Sequence, residues 1–161
     1  TVNLAVKGDG SIVYLDVLDA KDSFRTAART GDAHPLHSAA LGKAILAFLP
    51  EDDIETYLSR PLAERTGRTV IEREELMRQL RLVARNGYAT ERGENEDGAM
   101  CIGVPILDDA GRPLVAISIS APVHRMSRDK AMRAGSRMRT AAMEISARLG
   151  QAVRGAPPAS V

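Results

Sequence analysis

At 161 residues the chain is long enough for one domain with its own core, and 44% hydrophobic with 27% charged residues is a globular composition. A formal net charge of +1 removes any general electrostatic case for nucleic-acid binding. The single cysteine, Cys101, excludes an internal disulfide and fits a cytoplasmic protein, and no apolar run approaches the roughly 18 residues that span a bilayer.

With no Trp, two Phe and three Tyr, the core must be built from Leu, Ile, Val, Ala and Met. Val2, Leu4 and Val6 alternate with Asn3, Ala5 and Lys7, the pattern of a half-buried strand. A chain that opens inside a strand, without an initiator Met or a signal peptide, is expected to have been cut from something longer. Gly8-Asp9-Gly10 supplies a turn, residues 11–18 a second strand, and residues 24–29 a weaker third. His34-Pro35-Leu36-His37 reads as a loop. Ser38 is placed to cap a helix over residues 39–49, which stops before Pro50. A second helix over 51–59 carries acidic residues in its first turn, as the helix dipole favours. Leu76, Leu80 and Val83 predict a third helix over 69–86, closed by Gly87. Residues 88–92 are extended. Residues 99–107 and 112–121 are strands flanking the hairpin loop Asp108-Asp109-Ala110-Gly111. A long helix over 128–150 follows, with Ala134, Met138, Ala141, Ile145 and Leu149 as its expected buried stripe and Gly150 as its stop. The expected organisation is one domain over 1–150 and a disordered tail over 151–161. Strand pairs interrupted by helices, then a hairpin and a helix, predict an α+β fold with a mostly antiparallel sheet.

The last hairpin is the most informative stretch. Pairing Ile106 with Pro113 would set Cys101 opposite Ser118, Gly103 opposite Ala116 and Ala99 opposite Ser120. Parity then gathers the small residues Ala99, Cys101, Ser118 and Ser120 on one sheet face and Met100, Ile102, Ile117 and Ile119 on the other. A small, mildly polar face offers space and hydrogen-bonding groups for a ligand; it is equally a face on which a helix lies close or which meets solvent. The helix start after Ser38 adds unpaired N–H groups that favour an anion, or is a plain cap. His34 and His37 lack a third ligand nearby, so no metal site is expected. Cys101 has no histidine at a recognisable motif spacing, so no catalytic residue is expected either; a thiol lining a pocket fits its apolar neighbours better. Glu91, Glu94, Glu96 and Asp97 read as a solvated acidic loop, with the alternative that one points inward. Arg125, Arg128, Lys130, Arg133, Arg137 and Arg139 read as the wet face of the last helix. No P-loop, GxGxxG or GxSxG is present, and no cofactor is expected.

Taken together, His34-Pro35-Leu36-His37-Ser38-Ala39-Ala40-Leu41-Gly42-Lys43-Ala44, Arg85-Asn86-Gly87-Tyr88-Ala89, Glu94-Asn95-Glu96-Asp97-Gly98, Cys101-Ile102-Gly103-Val104-Pro105-Ile106, Ala116-Ile117-Ser118-Ile119-Ser120-Ala121-Pro122 and Ala141-Ala142-Met143-Glu144-Ile145-Ser146 resemble the effector-binding domain of the IclR family of bacterial transcription regulators. The resemblance covers about residues 1 to 150. It implies a GAF-like domain, a curved antiparallel sheet with helices on both faces. It implies a winged helix-turn-helix DNA-binding domain N-terminal to this chain, and homodimers or homotetramers. It also implies a small organic acid or aromatic effector over the concave sheet face. Carried over by position, the ligand-facing residues are Ala40, Leu41, Glu91, Ala99, Cys101, Ser118 and Ser120, with Phe24 as a further wall. Glu91 stands where Asp is frequent, and Ala99 where larger apolar residues are common. DNA contact would belong to the missing domain, with no membrane partner. Two rivals stand beside this expectation: a small enzyme with Cys101 as nucleophile, and an oligomerisation module with no ligand.

Overall fold

The computed structural model describes residues 1–19 and 26–155. Phe24, the expected further wall, lies outside them, as does Arg25 beside it at the start of the expected third strand. β1 (Val2–Lys7) and β2 (Ser11–Leu18) form the first hairpin. The third strand is β3 (Ala33–Pro35), where a loop was expected; residues 26–29 are irregular. β3 pairs with β2 on the sheet edge, where a proline, lacking an N–H, is tolerated.

Three helices follow in the expected order: α1 (Ala40–Leu46), α2 (Glu51–Leu58) and α3 (Arg73–Asn86). α1 starts after Ala39, so Ser38 is not its cap; the Ser38 hydroxyl turns instead to Pro35 O and Asn95 Oδ1. Beyond Leu46 the backbone tightens into i,i+3 turns through Phe48 and Leu49. α3 begins later than its periodicity suggests. The Thr69 hydroxyl is engaged elsewhere, accepting from Arg65 and Thr66 N–H groups and donating to Glu94 O. Gly87, at φ 77°, ends α3 in the left-handed region as expected.

β4 (Ala89–Arg92), β5 (Ala99–Leu107), β6 (Pro113–Pro122), a 3₁₀ turn at Val123–Arg125 and α4 (Arg128–Gly155) complete the chain. α4 passes the expected stop at Gly150. The sheet runs β3-β2-β1-β6-β5-β4, antiparallel throughout and curled. α1 lies on its concave face over β5 and β6, and α4 on the other over β5. The main core fills the concave side, with Ile12, Leu36, Ile45, Leu46 and Leu76 fully buried. Two smaller clusters set Met100 and Ile102 against Ala131, and Val104 and Ile106 against Ala142.

The buried stripe of α4 differs in part from expectation. Ala134 and Met138 are half-buried against the two smaller clusters, but Ala131, Gly135, Ala142 and Gly150 are the buried positions, while Ala141, Ile145 and Leu149 are exposed. The helix approaches so closely that only small residues fit: a Cβ on Gly135 would stand 2.5 Å from the Tyr88 ring.

The hairpin register also shifts. Cys101 pairs with Ser120, Gly103 with Ser118 and Pro105 with Ala116, two residues from the expected pairing. The Asp108 carboxylate accepts from Ala110 and Arg112 N–H groups, closing a five-residue loop. Leu107 then faces Pro113 and Ile106 faces Val115, leaving Leu114 as a bulge. A two-residue slip preserves parity, so the small face survives intact.

Candidate functional site

Where α1 crosses the small face, backbone meets backbone. A Cβ on Gly103 would stand 2.5 Å from Ala40 O, and one on Gly42 2.2 Å from Leu36 O. Gly103 lets the start of α1 lie directly on β5, and Gly42 lets the same helix press against the Leu36 backbone. Beneath it lies a cavity of about 10 Å³, lined by Ala39, Ala40 and Leu41 of the α1 start, Cys101, Ser118 and Ser120 of the hairpin, and Tyr14, Glu91 and Asn95. That is room for about one water. Of the residues expected to face a ligand, Ala40, Leu41, Glu91, Cys101, Ser118 and Ser120 come together here. Ala99 does not line the cavity; it sits one pair further out, buried opposite Pro122.

The wall is a connected set of polar groups. Asn3 Nδ2 donates to Ser118 Oγ at 3.1 Å and to Ser120 Oγ at 3.2 Å, and Ser120 Oγ lies 3.1 Å from Cys101 Sγ. Asn3 Oδ1 is buried without a partner. Sequence reasoning missed Asn3: only the pairing of β1 with β6 sets it beside Ser118. It missed Tyr14 and Asn95 as well. Asn95 ties three elements together, accepting from Ser38, donating to His34 Nδ1 at 2.9 Å, and donating its backbone N–H toward Glu91 Oε2.

The acidic loop is not solvated as a whole. Glu91 is 2% exposed and Glu94 8%, whereas Asp97 is exposed. Glu91 Oε2 accepts from Glu94 N–H at 2.8 Å. Oε1 meets no hydrogen-bond geometry, although the Cys101 thiol is close enough to pull the carboxyl back down. Burial dominates and raises the Glu91 pKa above the usual carboxylate range. Burial likewise pushes the Cys101 thiol well up, reinforced by Glu91. A nucleophilic cysteine needs the opposite.

Behind Glu91 lies an ion pair that no local pattern foretells. Lys43 on α1 is fully buried; its ammonium donates to Glu94 Oε2 at 2.5 Å and to Gln79 Oε1 at 2.7 Å. The histidines are structural. The Tyr57 hydroxyl donates to His37 Nδ1 at 2.6 Å and His37 Nε2–H donates to Ala63 O at 2.9 Å, while burial lowers the ring's pKa. Among the described residues no group of three or more His, Cys, Asp or Glu side chains is placed to hold a metal. Among them, too, no helix is long and apolar enough to cross a membrane.

Comparison with known proteins places the fold in a family. The family model described as bacterial transcriptional regulator IclR C-terminal matches residues 1–147. The HTH-type transcriptional regulator KdgR of Dickeya chrysanthemi is 36% identical over 151 residues, 93% of this chain and 50% of that protein. The crystal structure of Thermotoga maritima IclR matches with a TM-score of 0.84 and 36% identity, over 92% of this chain and 61% of that one. An IclR homologue from Microbacterium hydrocarbonoxydans, complexed with 4-hydroxybenzoate, matches with a TM-score of 0.80 and 27% identity, over 92% of this chain and 60% of that one. The α+β, GAF-like architecture is common to them. The chain spans about half the length of the curated relatives it matches, and those relatives are transcription regulators, not enzymes.

Proposed function

Because the chain belongs to the IclR family of bacterial transcriptional regulators, whose C-terminal domain it carries, we propose that residues 1–150 form the effector-binding and self-associating part of a cytoplasmic DNA-binding regulator. A winged helix-turn-helix domain N-terminal to this chain reads the operator. The effector is a small organic acid or an aromatic acid, seated at the cavity under α1.

What carries this proposal is the chemistry of that cavity: a cluster of small side chains with two buried acceptors, Glu91 Oε1 and Asn3 Oδ1, left without partners in or beside it. Unsatisfied buried acceptors are costly, and sites that keep them have a use for them. The effector's carboxylate meets the Ser118 and Ser120 hydroxyls and the first N–H groups of α1. Burial disfavours the ionised form of Glu91, so its carboxyl repels an incoming carboxylate less than an exposed glutamate would. At about 10 Å³ the cavity takes an effector only when α1 and its surroundings give way. That displacement is what would carry the signal, since a ligand shifts an equilibrium only by its differential affinity for two states.

A thermal-shift titration tests this with acetate and propionate as probes, which lack the aromatic body. At least one should raise the Tm of the parent, and Ser118→Leu, which fills the cavity, should abolish that shift while folding survives with an overpacking cost of about 1–3 kcal/mol. An unchanged shift in a folded Ser118→Leu variant sinks the proposed site.

A further inference from the structure

A second recess lies on the far side of Glu91. α3 and α4 flank the outer edge of the sheet at β4, and between them a groove of about 530 Å³ opens. That volume is within the range of small-molecule sites, roughly 300–1,000 Å³, and far larger than the closed cavity. The two recesses share one lining residue, Glu91.

The charge of the groove is lopsided. Lys43 and Glu94, at its floor, neutralise each other. Burial disfavours the ionised form of Glu91. Arg92 and Arg128 stand at the mouth, exposed, and neither has a carboxylate partner among the described residues. Arg92 reaches only the Met100 sulfur, at 3.9 Å. The Lys43 ammonium has three N–H donors and two acceptors, so one donor remains. Apolar side chains lie among these cations: Val83, Met100 and Ala131 are buried, and Leu82 and Met132 are 40% and 47% exposed. Exposed guanidinium groups beside apolar side chains, with flexible Met132 and Leu82 at the rim, suit a carboxylate on a greasy body. Planar guanidinium groups bind carboxylates with paired hydrogen bonds, and methionine adapts to varied shapes.

We propose that the groove between α3 and α4 is a second small-molecule site, distinct from the cavity under α1, that binds an amphiphilic monoanion with its carboxylate at Arg92 and Arg128 and its apolar part against Met100 and Met132. Neither arginine touches the closed cavity, so the two sites can be filled and removed independently.

Methionine methyl NMR with benzoate as the probe decides the matter. The six methionines give few signals. Met132 reports on the groove, and Met77, packed against the main core and outside the groove lining, is the control. Benzoate should shift Met132 saturably and leave Met77 in place. Arg92→Ala/Arg128→Ala, both surface changes, should weaken that titration about tenfold or more, the loss of charge-assisted hydrogen bonds. Ser118→Leu should leave it unchanged. Benzylammonium, with the same ring and the opposite charge, should fail to produce it. The proposal is overturned by the absence of a saturable Met132 shift, by a titration that the double arginine variant leaves intact, by benzylammonium matching benzoate, or by loss of the Met132 shift in Ser118→Leu.

Discussion

Burial penalises the ionised form of Glu91, while backbone N–H groups of Glu94 and Asn95 and the Cys101 thiol favour it; burial is the larger influence and the pKa is raised. A carboxyl whose folded pKa lies above its unfolded value holds more protons folded than unfolded, so its contribution to stability declines as pH rises above the unfolded value. Glu91→Gln removes that decline. The variant and the parent should have similar Tm values below about pH 4, the ordinary carboxylate range, and the variant should become progressively the more stable of the two toward neutrality. Thermal melts across that range check it; a gap that closes with rising pH would show that Glu91 is held ionised. The same residue marks a limit of sequence reasoning. In isolation Glu91, Glu94 and Lys43 each look like solvent-facing charges. Only the crossing of α1 over the β4 end of the sheet brings Lys43 to Glu94, 51 residues away. Family resemblance pointed to Glu91, but nothing local pointed to its partners.

Among the elements, the β5–β6 hairpin was the most legible and α4 the least. A strand's faces depend only on parity, so the small face was readable although the register was off by two. The register itself depended on the Leu114 bulge and the Asp108 turn, which alternation does not encode. α4 misled because periodicity weights large apolar residues, whereas the sheet accepts Ala131, Gly135 and Ala142 and leaves Ile145 and Leu149 outside. Close backbone approach recurs at α1. Gly103→Ala should push Ala40 off β5, since all three near atoms are backbone and cannot rotate away. A loss of about 1–3 kcal/mol or more is expected in denaturant unfolding. A variant as stable as the parent would mean that α1 is free to slide.

For the whole molecule, the fold class followed from element order, while the third strand did not. Residues 33–35 are too few, and too close to a proline, to register as a strand until β2 offers them an edge. The assembled sheet is covered unevenly. α4 lies over β5, but Val2, Leu15 and Leu18 on β1 and β2 remain 42%, 45% and 62% exposed, next to half-buried Leu4, Val6 and Val13. Contiguous apolar surface of this kind favours self-association. In sedimentation velocity the chain should therefore run as a dimer or tetramer, and Leu15→Lys should shift it toward monomer. A parent that stays monomeric at high concentration would count against assembly through this domain.

The small volume under α1 also has a kinetic consequence. A molecule larger than water cannot enter a space of about 10 Å³ at a rate set by collision alone. Opening must come first, and local openings of this kind proceed at their own pace. Observed association rates should level off as ligand concentration climbs, at a ceiling equal to the rate at which α1 lifts from Gly103. For a ligand at the proposed site, departure would wait on the same movement, so even weak binding would leave a brief memory of the last molecule met.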